Sequence, residues 1–190
     1  MRGLVTFAAA VAGLSLLPVN AAAQTPSALP SSLHLPKAAP ATLWITPEFT
    51  PGKQIPKKFA MKECGGENAS PRLTWKGAPK ATKSFVVTFT DSTMDNAYHW
   101  IVADIPSTTK ALPSNVEIGQ NPAYGRLAKA SFGKAQYYGP CPPKGSQHTY
   151  VITLFALDVP HLPIETPPDV LQMTAGHIIG EVTILARYRR

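Results

Sequence analysis

Three stretches of the chain carry apolar residues in the pattern of β-strands. Residues 83–90 (KSFVVTFT) set Phe85, Val87 and Phe89 to one side and Ser84, Val86 and Thr88 to the other. Residues 100–105 (WIVADI) form a second strand, stopped by Pro106, and residues 150–157 (YVITLFAL) read as a third, buried on both faces. Between 43 and 56, LWITPEFTPGKQIP offers short β-prone pieces cut by prolines, which suits an edge strand and turns. Toward the end, Val170, Met173, His177 and Ile178 recur at helical spacing behind Pro167-Pro168 and predict one short helix. Residues 182–188 then return to a β-like pattern, and no internal repeat is visible. Several strands with one late helix, and 20 prolines, predict a mostly antiparallel β protein.

The first 41 residues obey different rules. Arg2, an apolar stretch from Leu4 to Leu17 and the small exit Ala21-Ala22-Ala23 describe a secretory signal peptide over 1–23. About 14 apolar residues are too few for a comfortable membrane crossing, and no later run is longer. Residues 24–41 (QTPSALPSSLHLPKAAPA) lack periodicity and read as a flexible Pro/Ser/Ala-rich leader, with His34 a solvated residue in it. One folded domain is expected over 42–190, in the periplasm or secreted. Two cysteines remain there, Cys64 and Cys141; with no CxxC to suggest a metal site, export makes a disulfide the expected pairing.

The net charge of +7 comes from scattered lysines and the arginine-rich end at 187–190. No basic run is interleaved with aromatics, so no nucleic acid partner is expected. The chemistry-bearing residues collect at strand ends instead. Asp91 directly succeeds the first strand and shares the parity of Phe85, Val87 and Phe89. His99 has the parity of Ile101 and Ala103; His148 and Tyr150 have that of Ile152 and Leu154. A carboxylate, two imidazoles and a phenol are thus delivered to one loop-rimmed cleft. The loop Gly139-Pro140-Cys141-Pro142-Pro143 is stiffened by its prolines, and Gly139 and Gly145 would leave backbone amides free for a ligand oxygen. Trp75, Trp100, His161 and His177 read as structural.

The ordered set SPRLTW (70–75), GAPKATKSFVVTFTD (77–91), HWIVADIP (99–106) and GPCPPKGSQHTYVITLFALD (139–158) resembles the phosphatidylethanolamine-binding protein family, in its exported bacterial, Raf kinase inhibitor-like branch. The similarity runs from about Leu43 to Tyr188. It implies a central antiparallel sheet, a smaller second sheet and one or two peripheral helices. It also implies a pocket for a small anion or phospholipid headgroup, lined by Asp91, His99, Pro142, His148 and Tyr150, with Gly139 and Pro143 in the supporting rim. Cys64 and Cys141 match the disulfide pair of exported members. One stretch departs from the family pattern: DSTMD places Ser92 and Thr93 where a proline and a second acid are usual, and the segment to His99 is shorter. A wider or differently hydrogen-bonded Asp91 side is the expectation, with Asp95 a candidate electrostatic substitute.

Three functions fit such a cleft. The first is non-enzymatic binding of a phosphate or phosphoethanolamine-type group, with peripheral membrane contact compatible and no spanning segment after processing. The second is inhibition or regulation of an extracytoplasmic protein partner such as a protease. The third is a metal-dependent enzyme using Asp91, His99 and His148. No GxSxG, HExxH or glycine-rich phosphate loop supports catalysis, so no cofactor and no resident metal are expected.

Overall fold

In the computed structural model the described residues are 43–190 apart from Glu117 and Gln120. The segments expected to be a signal peptide and a leader, with His34, lie outside them. A five-stranded antiparallel sheet is ordered β6-β4-β3-β7-β8: β3 Ser84–Asp91, β4 Ala97–Pro106, β6 Arg126–Leu127, β7 Gln147–Leu157 and β8 Ile178–Arg189. A three-stranded sheet, β1-β2-β5, is built from β1 Trp44–Pro47, β2 Leu73–Lys76 and β5 Ala111–Leu112. One α-helix is described, α1 Pro167–Thr174.

The central strand β3 sits between β4 and β7 and is buried on both faces, as its alternation requires. One face, with Phe85, Val87, Phe89, Trp100, Val102, Ile152 and Leu154, packs against Leu43, Ile45, Leu73, Trp75 and Leu112 of the small sheet. The other face, with Val86, Ile101, Ala103, Phe155 and Leu157, is covered by Leu162 and Ile164 from the segment leading into α1 and by Val170 of α1 itself. Both tryptophans at 75 and 100 are core residues. β1 is an edge strand, as the prolines around it predict.

The structure departs from simple alternation in β4. Along β3–β4 the pairing runs Phe89↔Trp100 and then Thr90↔Tyr98, so His99 is an extra residue in a β-bulge. A second irregularity lies between Phe85↔Ile105 and Val87↔Val102, where Asp104 adopts φ 56°. Each bulge reverses the parity of the residues beyond it. Asp104 turns out of the sheet: its carboxylate accepts from Arg126 Nε (2.5 Å) and Leu162 N (3.1 Å) and meets His161 Nδ1 (2.7 Å), pinning the covering segment.

The helix is shorter than its predicted periodicity. α1 begins behind Thr166, whose backbone N–H donates to Asp169 Oδ2 (2.8 Å), and it uses Pro167 and Pro168 in its first turn, where no N–H is missed. It ends at Thr174, and Gly176 (φ 82°) turns the chain into β8. His177 and Ile178 therefore belong to the turn and to β8, which starts four residues before the predicted strand. His177 Nδ1 bonds Asp158 Oδ1 (2.9 Å), a structural role like that of His161. No helix among the described residues is long and apolar enough to cross a membrane.

Candidate functional site

The ends of β3 and β7 place the first two chemical groups. Asp91 pairs directly with Tyr150 across the sheet, and His148 lies two residues further along β7 on the same side. Asp91 is buried, 1% exposed. Its Oδ2 accepts from His148 Nδ1 (2.6 Å), and its Oδ1 accepts from the backbone N–H of Thr93 (2.9 Å). The departing DSTMD segment supplies that second contact. Thr93 Oγ1 also accepts from Thr149 N (2.9 Å), and Ser92 donates to the Thr149 carbonyl through both its N–H (2.9 Å) and its hydroxyl (3.0 Å). The Asp91 side is thus closed by two short polar residues stitched to β7. Asp95 is exposed in a left-handed turn (φ 47°), does not line the cavity, and so takes no part as a substitute acid.

His99 reaches the same place by a different route. The parity shared with Ile101 and Ala103 would have put it on the helix-covered face, since both belong to that cluster. The bulge turns it instead onto the face of Phe89 and Tyr150, with ring centroids 5.7 and 5.4 Å away. Its Nδ1 lies 2.9 Å from the carbonyl oxygen of Tyr138, and Tyr138 N donates back to the His99 carbonyl (2.9 Å). A carbonyl only accepts, so Nδ1 carries the proton. Nε2 is buried and has no hydrogen-bond partner.

The Pro-rich loop forms the facing wall. Cys141 is bonded to Cys64, with the two Cα atoms 5.6 Å apart, within the ordinary span of a disulfide. Gly139 packs so closely on the turn at 59–61 that a Cβ would fall 2.1 Å from the Phe59 carbonyl oxygen. Its amide is not free, contrary to the expectation from sequence: Gly139 N donates to Asn68 Oδ1 (2.8 Å). Nor is that of Gly145 (φ 84°), which donates to the Arg190 carbonyl (2.8 Å). Gly139 serves close chain packing and Gly145 a left-handed turn, so neither amide is free for a ligand.

Met61, Asp91, Met94, His99, Phe132, Cys141, Pro142, Pro143, His148 and Tyr150 enclose a cavity of about 120 Å³. Six of the seven residues singled out from sequence line it; Gly139 stands behind the wall. Sequence reasoning missed Met61, Met94 and Phe132. Met94 and Phe132 are exposed apolar residues, and Phe132 stacks edge-on to His99 at 4.9 Å. Their signal was present but faint: a methionine inside an otherwise polar turn and an aromatic in ASFGK. Among the described residues, no lysine or arginine lines the cavity.

Two groups in this cavity have displaced pKa values. Burial pushes the Tyr150 hydroxyl up, helped by the neighbouring Asp91 charge, so it remains a phenol at any physiological pH. Burial pulls His99 below the usual imidazole range, against the opposing pull of the Tyr138 carbonyl and Asp91. The ring is therefore neutral at pH 7. Because the unfolded chain binds that proton more readily than the folded one, stability rises with pH and is lost as pH falls below about 6.5. Urea titrations from pH 8 to 5 should show this loss, and His99→Gln should flatten the profile in that window. An unchanged slope in the variant would assign the acid sensitivity elsewhere.

Known proteins share this architecture. The family model described as phosphatidylethanolamine-binding protein matches residues 45–189. A UPF0098 protein of Methanothermobacter thermautotrophicus is 35% identical over 155 residues, covering 76% of this chain and 97% of its own. The Escherichia coli UPF0098 protein YbhB is 34% identical, covering 72% and 87%. The putative lipoprotein LppC of Mycobacterium tuberculosis is 33% identical, covering 77% and 68%. Among solved structures, E. coli YbcL, described as a new member of the mammalian PEBP family, superposes with a TM-score of 0.70 at 29% identity, covering 78% of this chain and 98% of YbcL. The Chlamydia trachomatis homologue CT736 gives a TM-score of 0.68 at 27% identity, covering 79% and 99%.

Proposed function

The chain belongs to the phosphatidylethanolamine-binding protein family, and from that premise we propose that its strand-end cavity binds a small phosphate-type anion or a phospholipid headgroup without catalysing a reaction. One observation carries the reading: a buried Asp91–His148 pair and the unpartnered Nε2 of His99 meet at the same small cavity. About 120 Å³ is well short of the roughly 300–1,000 Å³ of drug-sized pockets. It suits a tetrahedral headgroup and leaves an acyl chain outside. His148, held through Nδ1, offers Nε2 to a ligand.

Binding without chemistry is favoured by what the Asp–His pair lacks. Among the described residues neither a serine nor a free thiol lines the cavity, because Cys141 is committed to its disulfide, so the imidazole has no serine or thiol side chain to activate. Among the described residues no cluster of three or more His, Cys, Asp or Glu is disposed to hold a metal ion. An extracytoplasmic location is supported by the disulfide, which persists in oxidising compartments, and by similarity to a protein named as a lipoprotein.

Thermal melts and phosphorus NMR with inorganic phosphate and phosphoethanolamine test the proposal. At a hundredfold excess over Kd, binding should stabilise the protein by about 2.7 kcal/mol, raising Tm by roughly 5–10 °C. His148→Ala should lose the shift. No stabilisation and no change in the phosphorus signal at millimolar ligand would refute it.

A further inference from the structure

We propose that the outer face of the small sheet is a second binding site, one that takes an acidic saccharide by stacking a uronate-type ring on Trp44 and receiving its carboxylate at Lys76. A groove of about 330 Å³ lies there, lined by Trp44, Thr46, Thr74, Trp75 and Lys76. It shares no lining residue with the strand-end cavity and is the larger of the two. Its volume falls within the roughly 300–1,000 Å³ of small-molecule sites.

Alternation along two short strands builds the groove. β1 buries Ile45 and Pro47 and exposes Trp44 and Thr46; β2 buries Leu73 and Trp75 and turns Thr74 and Lys76 outward. The register sets Trp44 directly opposite Lys76, and Thr46 opposite Thr74. The four positions are thus about 7 Å apart along a strand and about 5 Å across it, close to the dimensions of a pyranose ring with its substituents. The platform is stiff. Ile45 and Trp75 pair beneath it in the core, and Trp75 meets Phe85 edge-on at 5.5 Å.

The groups on this face match the two-sided character of a sugar. Trp44 is 63% exposed and offers a negative π-face, which suits the partly positive C–H groups on one side of a pyranose. Polar groups at its edge meet what projects from the ring. Thr74 Oγ1 is oriented by donating to the Thr46 carbonyl (3.3 Å) and keeps its lone pairs for a ligand. The Thr46 hydroxyl and the Lys76 ammonium make no hydrogen bond or ion pair among the described residues.

Charge selects an acid. Glu48, just past the end of β1, is already engaged by Lys58 Nζ (2.5 Å) and Arg72 N (3.1 Å), which leaves Lys76 as the uncompensated charge of the groove. The net charge of +7 adds a general attraction for polyanions. A lipid surface is a poorer match, because Trp44 is the one large exposed apolar side chain of the lining.

Hexagalacturonate is the probe, and its fully methyl-esterified form, the same chain without charge, is the control. Trp75 and Trp100 are buried, so the solvent-accessible tryptophan emission belongs to Trp44 and should be shielded from acrylamide by the bound acid. In calorimetry at low salt, Trp44→Ala should weaken binding about tenfold and Lys76→Gln about threefold, with Lys76→Arg close to wild type. The ester should bind the wild-type chain about as weakly as the acid binds Lys76→Gln, and added salt should weaken the acid alone. Both substitutions are at exposed positions, so melting temperatures should not move. Excess inorganic phosphate should not compete, which separates this site from the strand-end cavity. Undetectable binding at millimolar hexagalacturonate, affinity untouched by either substitution, or equal affinity for acid and ester would overturn the inference. So would Trp44-dependent sedimentation with phosphatidylglycerol vesicles in the absence of glycan binding, which would make this face a membrane contact. None of these outcomes touches the proposed function, which phosphate binding tests separately.

Discussion

Reducing the Cys64–Cys141 disulfide is expected to cost the domain roughly 4 kcal/mol and to lower Tm by about 10 °C. The bridge closes a loop with a sequence separation of 77 residues. In the chain-entropy account, the cross-link removes most of that loop's freedom from the unfolded state. The segment it anchors gains little from strand pairing. Residues 57–66 are two short 3₁₀ turns, Lys57–Phe59 and Lys62–Cys64, held otherwise by backbone bonds and by Tyr137 Oη donating to the Phe59 carbonyl (3.1 Å). Met61 and Cys141 both line the cavity, so the reduced protein should also bind phosphate more weakly. Urea unfolding with and without reductant, and of the Cys64→Ala/Cys141→Ala double variant, measures the effect. A loss below about 1 kcal/mol would mean the loop is already fixed by its packing on Gly139.

The second large effect concerns the Asp91–His148 pair. The Asp91 side chain is 2% exposed and that of His148 14%. Replacing His148 by alanine leaves a buried carboxylate without its imidazole partner, held only by the Thr93 N–H and the Tyr150 hydroxyl, an arrangement that costs about 3 kcal/mol or more. Asp91→Asn keeps the shape and removes the charge, so it should cost less. Once the asparagine is present, His148→Ala should add little, because no buried charge is left unpaired. A double-mutant cycle by urea unfolding should therefore return a coupling of at least about 1 kcal/mol. Additive single effects would show that the 2.6 Å contact contributes nothing of its own to stability.

Much of this site is legible in sequence because β3 and β7 pair without irregularity from Ser84↔Leu157 to Asp91↔Tyr150. Parity along a bulge-free strand is a reliable guide to facing, so Asp91, His148 and Tyr150 can be placed together from spacing alone. On β4 the same logic fails twice, at His99 and near Asp104. A bulge in the middle of an apolar run has no glycine to announce it, and Asp104 takes its positive φ without one. The glycine amides escape sequence reasoning for another reason. Their acceptors, Asn68 and the Arg190 carbonyl, are 71 and 45 residues away in sequence, and only the folded chain reveals them. The helix runs long in the periodicity because Ile178 continues the apolar spacing across the turn that Gly176 makes. Met61, Met94 and Phe132 are invisible to a search for groups that ionise, while half the wall is hydrocarbon.

The most direct measurement is a crystal structure grown with cacodylate, whose arsenic scatters anomalously and stands in for phosphorus. A single strong anomalous peak is expected inside the cavity, within contact of His148 and Tyr150. A cavity empty of arsenic at saturating cacodylate, with the ion bound at surface lysines instead, would contradict it.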